Sequence, residues 1–273
     1  MKDYIGGALR QGGPKKSALG RRLAIGCFKI ICALAFWLII WQLVAFKVHN
    51  PLLAPYPAAV VARLFTLAFS SAFWSIIGHS LLRIMTGFIL GVAGGLLMAA
   101  LTSAFRPAEI LLSPALKAVL ATPVASFIIL LLIWFRPTLA PALVAMLVVL
   151  PMVWRHIHGG IAAFDAQLLE MARLFKLSFM RRLRRLYVPG LIPPFLSACS
   201  VGVGLAWKSG VAAEVISYSR FSIGGELKAG QTYLETADVF VWTIVVIILS
   251  LLIERLLTDL FKRLNRAYDK QEG

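Results

Sequence analysis

Apolar residues in this chain gather in six long runs, which are separated by shorter polar connections. A helix needs about 20 predominantly apolar residues to cross the hydrocarbon core of a bilayer, and each run reaches or approaches that length. The runs cover residues 23–46, 84–105, 118–135, 137–154, 188–213 and 239–253. The pattern predicts an all-α integral membrane protein with six transmembrane helices.

Composition supports this prediction and excludes a soluble globular domain. Hydrophobic residues occupy 60% of the 273 positions, the mean hydropathy is +0.84 and 15% of the residues are charged. Such values are typical of membrane proteins. The three cysteines all lie within apolar runs, so they predict neither a disulfide framework nor a metal site. His156 and His158 would diverge on a helix and do not suit a metal pair.

The formal net charge of +16 is explained by membrane topology rather than by nucleic-acid binding. Basic residues are concentrated before the first run, between the second and third, between the fourth and fifth, and after the sixth. The positive-inside rule therefore places both termini in the cytoplasm. We predict a basic tail at 1–22, a first transmembrane helix with an external connection at 23–77, a transmembrane domain at 78–260 and a cytoplasmic tail at 261–273.

The polar loop at 164–190 carries two helical periods and is predicted to be cytoplasmic. Apolar residues recur at three- and four-residue spacing on one face of a first helix, with charged residues on the other faces. That apolar face contains Ile161, Phe164, Leu168, Met171 and Phe175. Ser178 is placed to cap a second helix, which we expect to end at Pro189 and Gly190. The loop is therefore predicted to be a helix, a turn and a second helix.

Small residues mark two helices as packing surfaces. Gly87, Gly91 and Gly95 follow each other at four-residue spacing in the second run, which lets another helix approach closely. In the fifth run a similar ridge contains Gly202 and Gly210. The third run contains Pro123 and is predicted to bend there.

Three charged residues in or beside the runs are candidates for a translocation path. They are Arg83, Lys208 and Glu214, because ionisable groups at membrane depth usually face protein or a water-filled path. The alternatives are that Lys208 reaches to the membrane interface and that Glu214 pairs with Arg83. No catalytic residue or bound cofactor is predicted. The sequence GVGLAWKS at 202–209 has Trp207 in the position of a glycine of a phosphate-binding loop, so any ATP must bind another chain.

The loop resembles the "EAA" loop of ATP-binding-cassette (ABC) importer permeases. Glu170-Met171-Ala172 matches its beginning, and Leu186, Val188 and Pro189 match its end. Further strings at 55–57, 80–91, 122–127 and 205–214 are similar to the nitrate, sulfonate and taurine branch of these permeases. The resemblance covers most of the chain and implies the type I importer fold in the cell membrane of a prokaryote.

The resemblance also implies partners and a coupling site. The expected partners are cytoplasmic ABC ATPase subunits, an extracytoplasmic solute-binding protein, a second permease subunit in a homodimer, and membrane lipid, with no nucleic acid. The residues expected to couple to the ATPase are Asp165, Leu168, Glu170, Met171, Ala172, Arg173, Phe175 and Lys176. The family pattern has glycine where this chain has Lys176. In a left-handed turn, lysine would cost roughly 1 kcal/mol relative to glycine.

Two other classes of protein remain open at the level of sequence. An integral-membrane enzyme that modifies lipids could hold its catalytic groups in the polar loop. A secondary transporter would use inverted repeats of broken helices, and no such repeat is apparent. The function expected from the resemblance is a non-enzymatic permease subunit that conducts a small solute, expected to be an anion similar to nitrate, sulfonate or taurine.

Overall fold

The computed structural model describes residues 15–175 and 178–272, and the side chains of residues 15–27, 30, 166, 169, 173, 179 and 261–272 lie outside that description. The regular secondary structure in the described residues is helical. In chain order the helices are α1 (Lys15–Val48), α2 (Pro57–Ala68), α3 (Ser71–Ala104), α4 (Arg106–Ala121), α5 (Val124–Trp134), α6 (Ala140–Ala162), α7 (Ala166–Leu174), α8 (Phe179–Arg182), α9 (Val188–Ser217), α10 (Ile223–Thr232) and α11 (Thr236–Glu272). The segment Leu183–Tyr187 forms a π-helical turn between α8 and α9.

Contacts divide the chain into a unit up to Ala59 and a unit that begins at Val60. In the first unit, α1 exposes large apolar side chains such as Phe28, Ile31 and Trp37, as expected of a helix surrounded by lipid. A turn follows α1. The Asn50 side chain accepts a hydrogen bond from the backbone N–H of Leu52, and the Trp41 indole donates to the carbonyl of Pro55.

Among the described residues, five helices are long and apolar enough to cross a membrane by themselves: α1, α3, α6, α9 and α11. The sixth candidate is the pair α4 and α5, which is bent by 108°. The bend lies at Thr122 and Pro123, where the proline has no N–H to continue the helix. Its location confirms the bend predicted in the third run. At 11 residues, or roughly 16 Å, α5 is too short to span a bilayer by itself.

Close packing of α3, α6 and α9 forms the core of the second unit. Gly95 lies so near α6 that an added Cβ would come within 2.6 Å of the Leu150 carbonyl oxygen. At Gly91 it would come within 2.8 Å of the Val149 Cβ, and Gly87 lies directly against the backbone of Ala142. The three glycines therefore allow α3 and α6 to approach backbone to backbone.

The small residues of α9 are packed less uniformly. An added Cβ at Gly210 would approach Cγ1 of Ile84 to 2.7 Å, so this glycine lies at a tight contact with α3. At Gly202 the nearest atom would be 3.6 Å away, on Phe88, which is an ordinary van der Waals distance. Of these two positions, only Gly210 has too little space for a larger side chain.

Several helices are longer than the apolar runs that predicted them. Helix α3 begins at Ser71, because the Ser70 hydroxyl caps it by accepting the N–H of Phe73 at 3.2 Å. The prediction that Pro189 and Gly190 end a helix is wrong, since α9 continues through both. Pro189 lies just beyond the π-helical turn Leu183–Tyr187, where the backbone N–H of Val188 donates to the carbonyl of Leu183.

Candidate coupling and translocation surfaces

Helix α7 lies in the predicted coupling loop, outside the membrane-spanning segments. The Asp165 carboxylate starts it by accepting the backbone N–H of Gln167 at 2.8 Å. Large apolar side chains then project from the helix and its end. Leu168 and Met171 are about half exposed, while Leu174 is 80% and Phe175 73% exposed. This is an unusual amount of exposed apolar surface for a helix of nine residues that is not one of the membrane-spanning helices.

The other predicted coupling residues lie around this surface. Glu170 is exposed, and Ala172 is 3% exposed and faces the rest of the protein. Arg173 lies in α7, although its side chain is outside the description, and Lys176 lies outside the described residues. The consequence of the lysine at the family's glycine position therefore stays a prediction.

Phe164 does not lie on the apolar face of α7, contrary to the prediction from the sequence. Helix α6 ends at Ala162 and α7 starts at Ala166, so the periodicity of Ile161 and Phe164 does not continue into α7. The Phe164 ring instead packs edge-on against Tyr187, with centroids 5.2 Å apart, and lies against Gly190. This contact fastens the start of the loop to the start of α9.

One face of α9 is exposed in the described residues, and it contains Lys208. Of the three predicted path residues, Lys208 is the one that is exposed. Val201, Leu205, Lys208, Ala212 and Ile216 are exposed at three- and four-residue spacing, whereas the opposite face is buried. We call this face the α9 stripe. It is apolar apart from Lys208, whose ammonium group would be costly in contact with lipid.

Glu214 and Arg83 form a buried pair on the other side of α9. The Glu214 side chain is fully buried, and its Oε1 lies 3.6 Å from Nη1 of Arg83, which is 17% exposed. The other carboxylate oxygen, Oε2, accepts hydrogen bonds from the Ser80 hydroxyl at 2.9 Å and the Gly224 N–H at 3.1 Å. The structure therefore contains the contact between Glu214 and Arg83 that the sequence suggested as an alternative.

The same cluster caps helix α10, which the sequence analysis did not predict. Side chains accept each of its first three backbone N–H groups: Ser80 accepts Ile223 at 2.9 Å, Glu214 accepts Gly224, and Ser222 accepts Gly225 at 2.9 Å. A carboxylate is favourable there because the helix dipole is positive at its N-terminus. Gly224 lies against the Glu214 Cβ, with no space for a side chain. The signal available in the sequence was Ser222, a good N-cap residue, two positions before a pair of glycines.

A second charged cluster joins α2, α10 and α11. Arg63 donates to both carboxylate oxygens of Asp238, from Nε at 2.6 Å and from Nη2 at 2.7 Å. This bidentate bond raises the pKa of Arg63 above its ordinary value. The pKa of Glu226 in α10 is also raised, first by burial and then by the nearby charges of Asp238 and Glu235.

Comparison with known proteins gives the family. Residues 91–266 match the model of the family described as binding-protein-dependent transport system inner membrane component. The match covers more than half of the chain, and the chain belongs to this family. It is therefore a transport component of the ABC importer class, in agreement with the prediction from the EAA loop and not with the enzyme or secondary-transporter alternatives.

Individual relatives are also named as transport permeases. The chain is 24% identical to the aliphatic sulfonates transport permease protein SsuC of Bacillus subtilis, over 92% of each protein. It is 24% identical to the taurine transport system permease protein TauC of Escherichia coli, over 90% of each. A crystal structure of an amino acid ABC transporter has the same fold, with a TM-score of 0.61 and 19% identity over 74% of this chain and 96% of that one. The predicted type I importer fold and the sulfonate and taurine branch are confirmed.

Proposed function

We propose that this permease subunit conducts a small organic anion of the sulfonate class and that α7 couples it to a separate cytoplasmic ATPase. The observation that carries the coupling proposal is the exposed apolar surface of Leu168, Met171, Leu174 and Phe175 on α7 and at its end, outside the membrane-spanning helices. An amphipathic helix whose apolar side chains are left exposed by the described residues suits a groove on a partner protein. Glu170, exposed beside that surface, would fix the register through charge-assisted hydrogen bonds.

The connection between α7 and the membrane helices supports this role. Helix α7 follows α6 after a three-residue turn, and Phe164 in that turn packs on Tyr187 and Gly190 at the beginning of α9. A displacement of α7 by a partner would therefore move α6 and α9 together. Rigid movement of packed helices is a common way to alternate access to a site.

The orientation follows from the charge distribution. Arg181, Arg184 and Arg185 are exposed near α7, and the two tails are also basic. By the positive-inside rule, this distribution supports a cytoplasmic location for α7 and both termini, on the side where ATP is available. A solute-binding protein would deliver the solute from the opposite face, as the family description implies.

The preference for an anion rests on Lys208. It is the one charged residue on the α9 stripe, which a second permease subunit of a homodimer would cover. Glu214 does not oppose it there, because its carboxylate is buried against Ser80, Gly224 and Arg83. Glu214 and Arg83, the other two predicted path residues, would support the path from behind by holding α3, α9 and α10 together. The names of the sulfonate and taurine relatives are consistent with an anionic solute.

Co-purification and uptake test the coupling role. The wild-type chain should recover its ATPase partner from detergent extracts, whereas replacing both Leu168 and Met171 with Ser should lower recovery about ten-fold or more, because buried apolar anchors dominate such interfaces. Glu170→Lys should leave membrane insertion intact while ATP hydrolysis continues without uptake. Gln167→Lys, on the same helix, is the control for an added charge. Normal uptake by the double variant and by Glu170→Lys would refute the coupling role.

Uptake of labelled taurine and aliphatic sulfonates tests the anion preference. Lys208→Ala should reduce uptake of these solutes with unchanged ATPase recovery, and Lys208→Arg should restore part of it because the positive charge is kept. If Lys208→Ala transports sulfonates at the wild-type rate, Lys208 does not select the solute.

A further inference from the structure

A basic cleft opens between α4 and α6, and no residue of α7 or of the α9 stripe is among those that line it. Its volume is about 650 Å³, and its lining includes Lys117 and Leu120 from α4 and Arg155, His158 and Gly159 from α6. This basic cleft is large enough for a ligand of several non-hydrogen atoms. No carboxylate is among its lining residues.

The floor of the basic cleft is held in place by several contacts. Trp154 is 3% exposed and donates its indole N–H to the Thr102 hydroxyl at 3.0 Å. Its ring stacks with the His158 ring, with centroids 5.6 Å apart. His158 Nδ1 lies 3.1 Å from the Ser103 hydroxyl, and its Nε2 lies 3.5 Å from a Glu109 oxygen. Among the described residues, Glu109 forms no ion pair with Lys117 or Arg155.

Lys117 and Arg155 supply the recognition chemistry. Both are exposed, and neither forms an ion pair with a carboxylate within the part of the chain that the structure describes. The lining of the cleft combines two cations with the apolar side chains of Leu120 and Trp154, which fits a ligand with an acidic head and an apolar body. Gly159 leaves the cleft open, because an added Cβ would have no atom within 4 Å.

We propose that the basic cleft binds the acidic head group of an amphiphilic anion through Lys117 and Arg155. Such a head group is carried by anionic membrane lipids and by organic sulfonates, the solute class proposed above. Binding rests on the geometry of the cleft alone. Only its assignment to the cytoplasmic face, near the end of α6, rests on the proposed orientation.

Native mass spectrometry of the full-length chain, purified in a neutral detergent, tests this site. The probes are phosphatidylglycerol, zwitterionic phosphatidylcholine as the uncharged comparison, and hexanesulfonate. Phosphatidylglycerol or hexanesulfonate should be retained in preference to phosphatidylcholine. The double variant K117Q/R155Q should lower the retained fraction about ten-fold, since two charge-assisted contacts are removed. R106Q/R136Q removes two exposed cations elsewhere and should bind as wild type does.

A second variant separates the site from a general loss of charge or of folding. Gly159→Leu fills the basic cleft while keeping both cations, and it should also reduce binding. If both variants lose binding of phosphatidylglycerol but retain hexanesulfonate, the site is assigned to lipid. If they lose binding of hexanesulfonate but retain phosphatidylglycerol, the site is assigned to the solute. Unchanged binding of both probes in K117Q/R155Q and in Gly159→Leu would overturn the proposal. Because no ATPase or transport is involved, this result is independent of the coupling experiment.

Discussion

Helices α7 and α10 both lie in short connections between membrane-spanning helices. They differ in how far the rest of the subunit caps their ends and covers their apolar side chains. They flank α9, whose 30 residues span about 45 Å, so they lie at opposite ends of it. The first turn of α10 is capped entirely from within the subunit, by Ser80, Glu214 and Ser222. Helix α7 instead exposes the apolar side chains of Leu168, Met171 and Leu174. A connection completed by its own chain is a fixed part of the fold, whereas one left apolar and exposed is suited to a partner.

The largest effect is expected at the buried carboxylate that completes α10. Glu214→Ala should cost about 3–5 kcal/mol of unfolding free energy, because it leaves the buried Nη1 of Arg83 without its partner and the Gly224 N–H without its acceptor. Glu214→Gln keeps an acceptor for the Gly224 N–H and should cost less. The measurement is an equilibrium unfolding titration of the purified chain in mixed micelles.

Lys208→Ala is the matched control for that titration, since it removes a charge from the exposed face of the same helix. It should change the stability of the isolated subunit by less than about 0.5 kcal/mol. A Glu214→Ala protein as stable as the Lys208→Ala protein would show that α10 does not depend on its carboxylate.

The second effect concerns the tight contact between α3 and α6. Gly95→Ala should destabilise the chain by about 1–3 kcal/mol, because the new methyl group would meet the Leu150 carbonyl and the Val153 side chain. Gly78→Ala, in the same helix, places its methyl group in open space and should be neutral or slightly stabilising. Thermal unfolding of the two variants side by side checks this. If the two variants lose the same amount of stability, the close approach of α6 does not explain the need for glycine at position 95.

These contacts show which parts of the molecule were predictable from sequence. The membrane spans, the bend at Pro123 and the glycine face of α3 follow from local composition and spacing, which a single helix already contains. Helix α10 does not, because two of its three capping side chains are distant in sequence: Ser80 lies 143 positions before Ile223, and Glu214 lies in α9. The sequence identified Glu214 as unusual, but only the fold shows that its carboxylate serves a helix end.

The coupling loop gives the opposite lesson. Its apolar positions Leu168, Met171 and Phe175 were predictable from period alone, and they are exposed as a partner surface would be. Phe164 fits the same period but lies in a turn, where it packs on Tyr187. Periodicity cannot show where a helix is interrupted by tertiary contacts, so it assigned Phe164 to the wrong surface.

A smaller effect should appear at Glu226 as the pH changes. Burial and the neighbouring charges of Asp238 and Glu235 raise its pKa in the folded chain, so the folded state binds this proton more tightly than the unfolded state. Its contribution to stability is therefore fully present at pH below the ordinary carboxyl value and is lost as the pH rises through the raised pKa. Glu226→Gln should remove that loss, with a gain below about 1 kcal/mol at pH 8 because the group is partly exposed, and with no gain at pH 4. Tm curves for both proteins that remain parallel across this range would exclude Glu226 as the source of any pH dependence.

The smallest effect on the subunit is expected for Leu174→Ser in α7, and the matched change Ile223→Ser in α10 makes it the sharpest test of the comparison. Leu174 in α7 is 80% exposed, and Ile223 in the first turn of α10 is fully buried. Leu174→Ser should change the stability of the isolated chain by less than about 0.5 kcal/mol, whereas Ile223→Ser should cost several kcal/mol, about as much as other deletions of a buried aliphatic side chain. Although Leu174→Ser should leave the stability of the chain unchanged, it should weaken binding to the ATPase and lower the amount of ATPase recovered. If Leu174→Ser instead destabilises the isolated subunit as Ile223→Ser does, α7 is part of the subunit's own core, and its exposed face is not reserved for a partner.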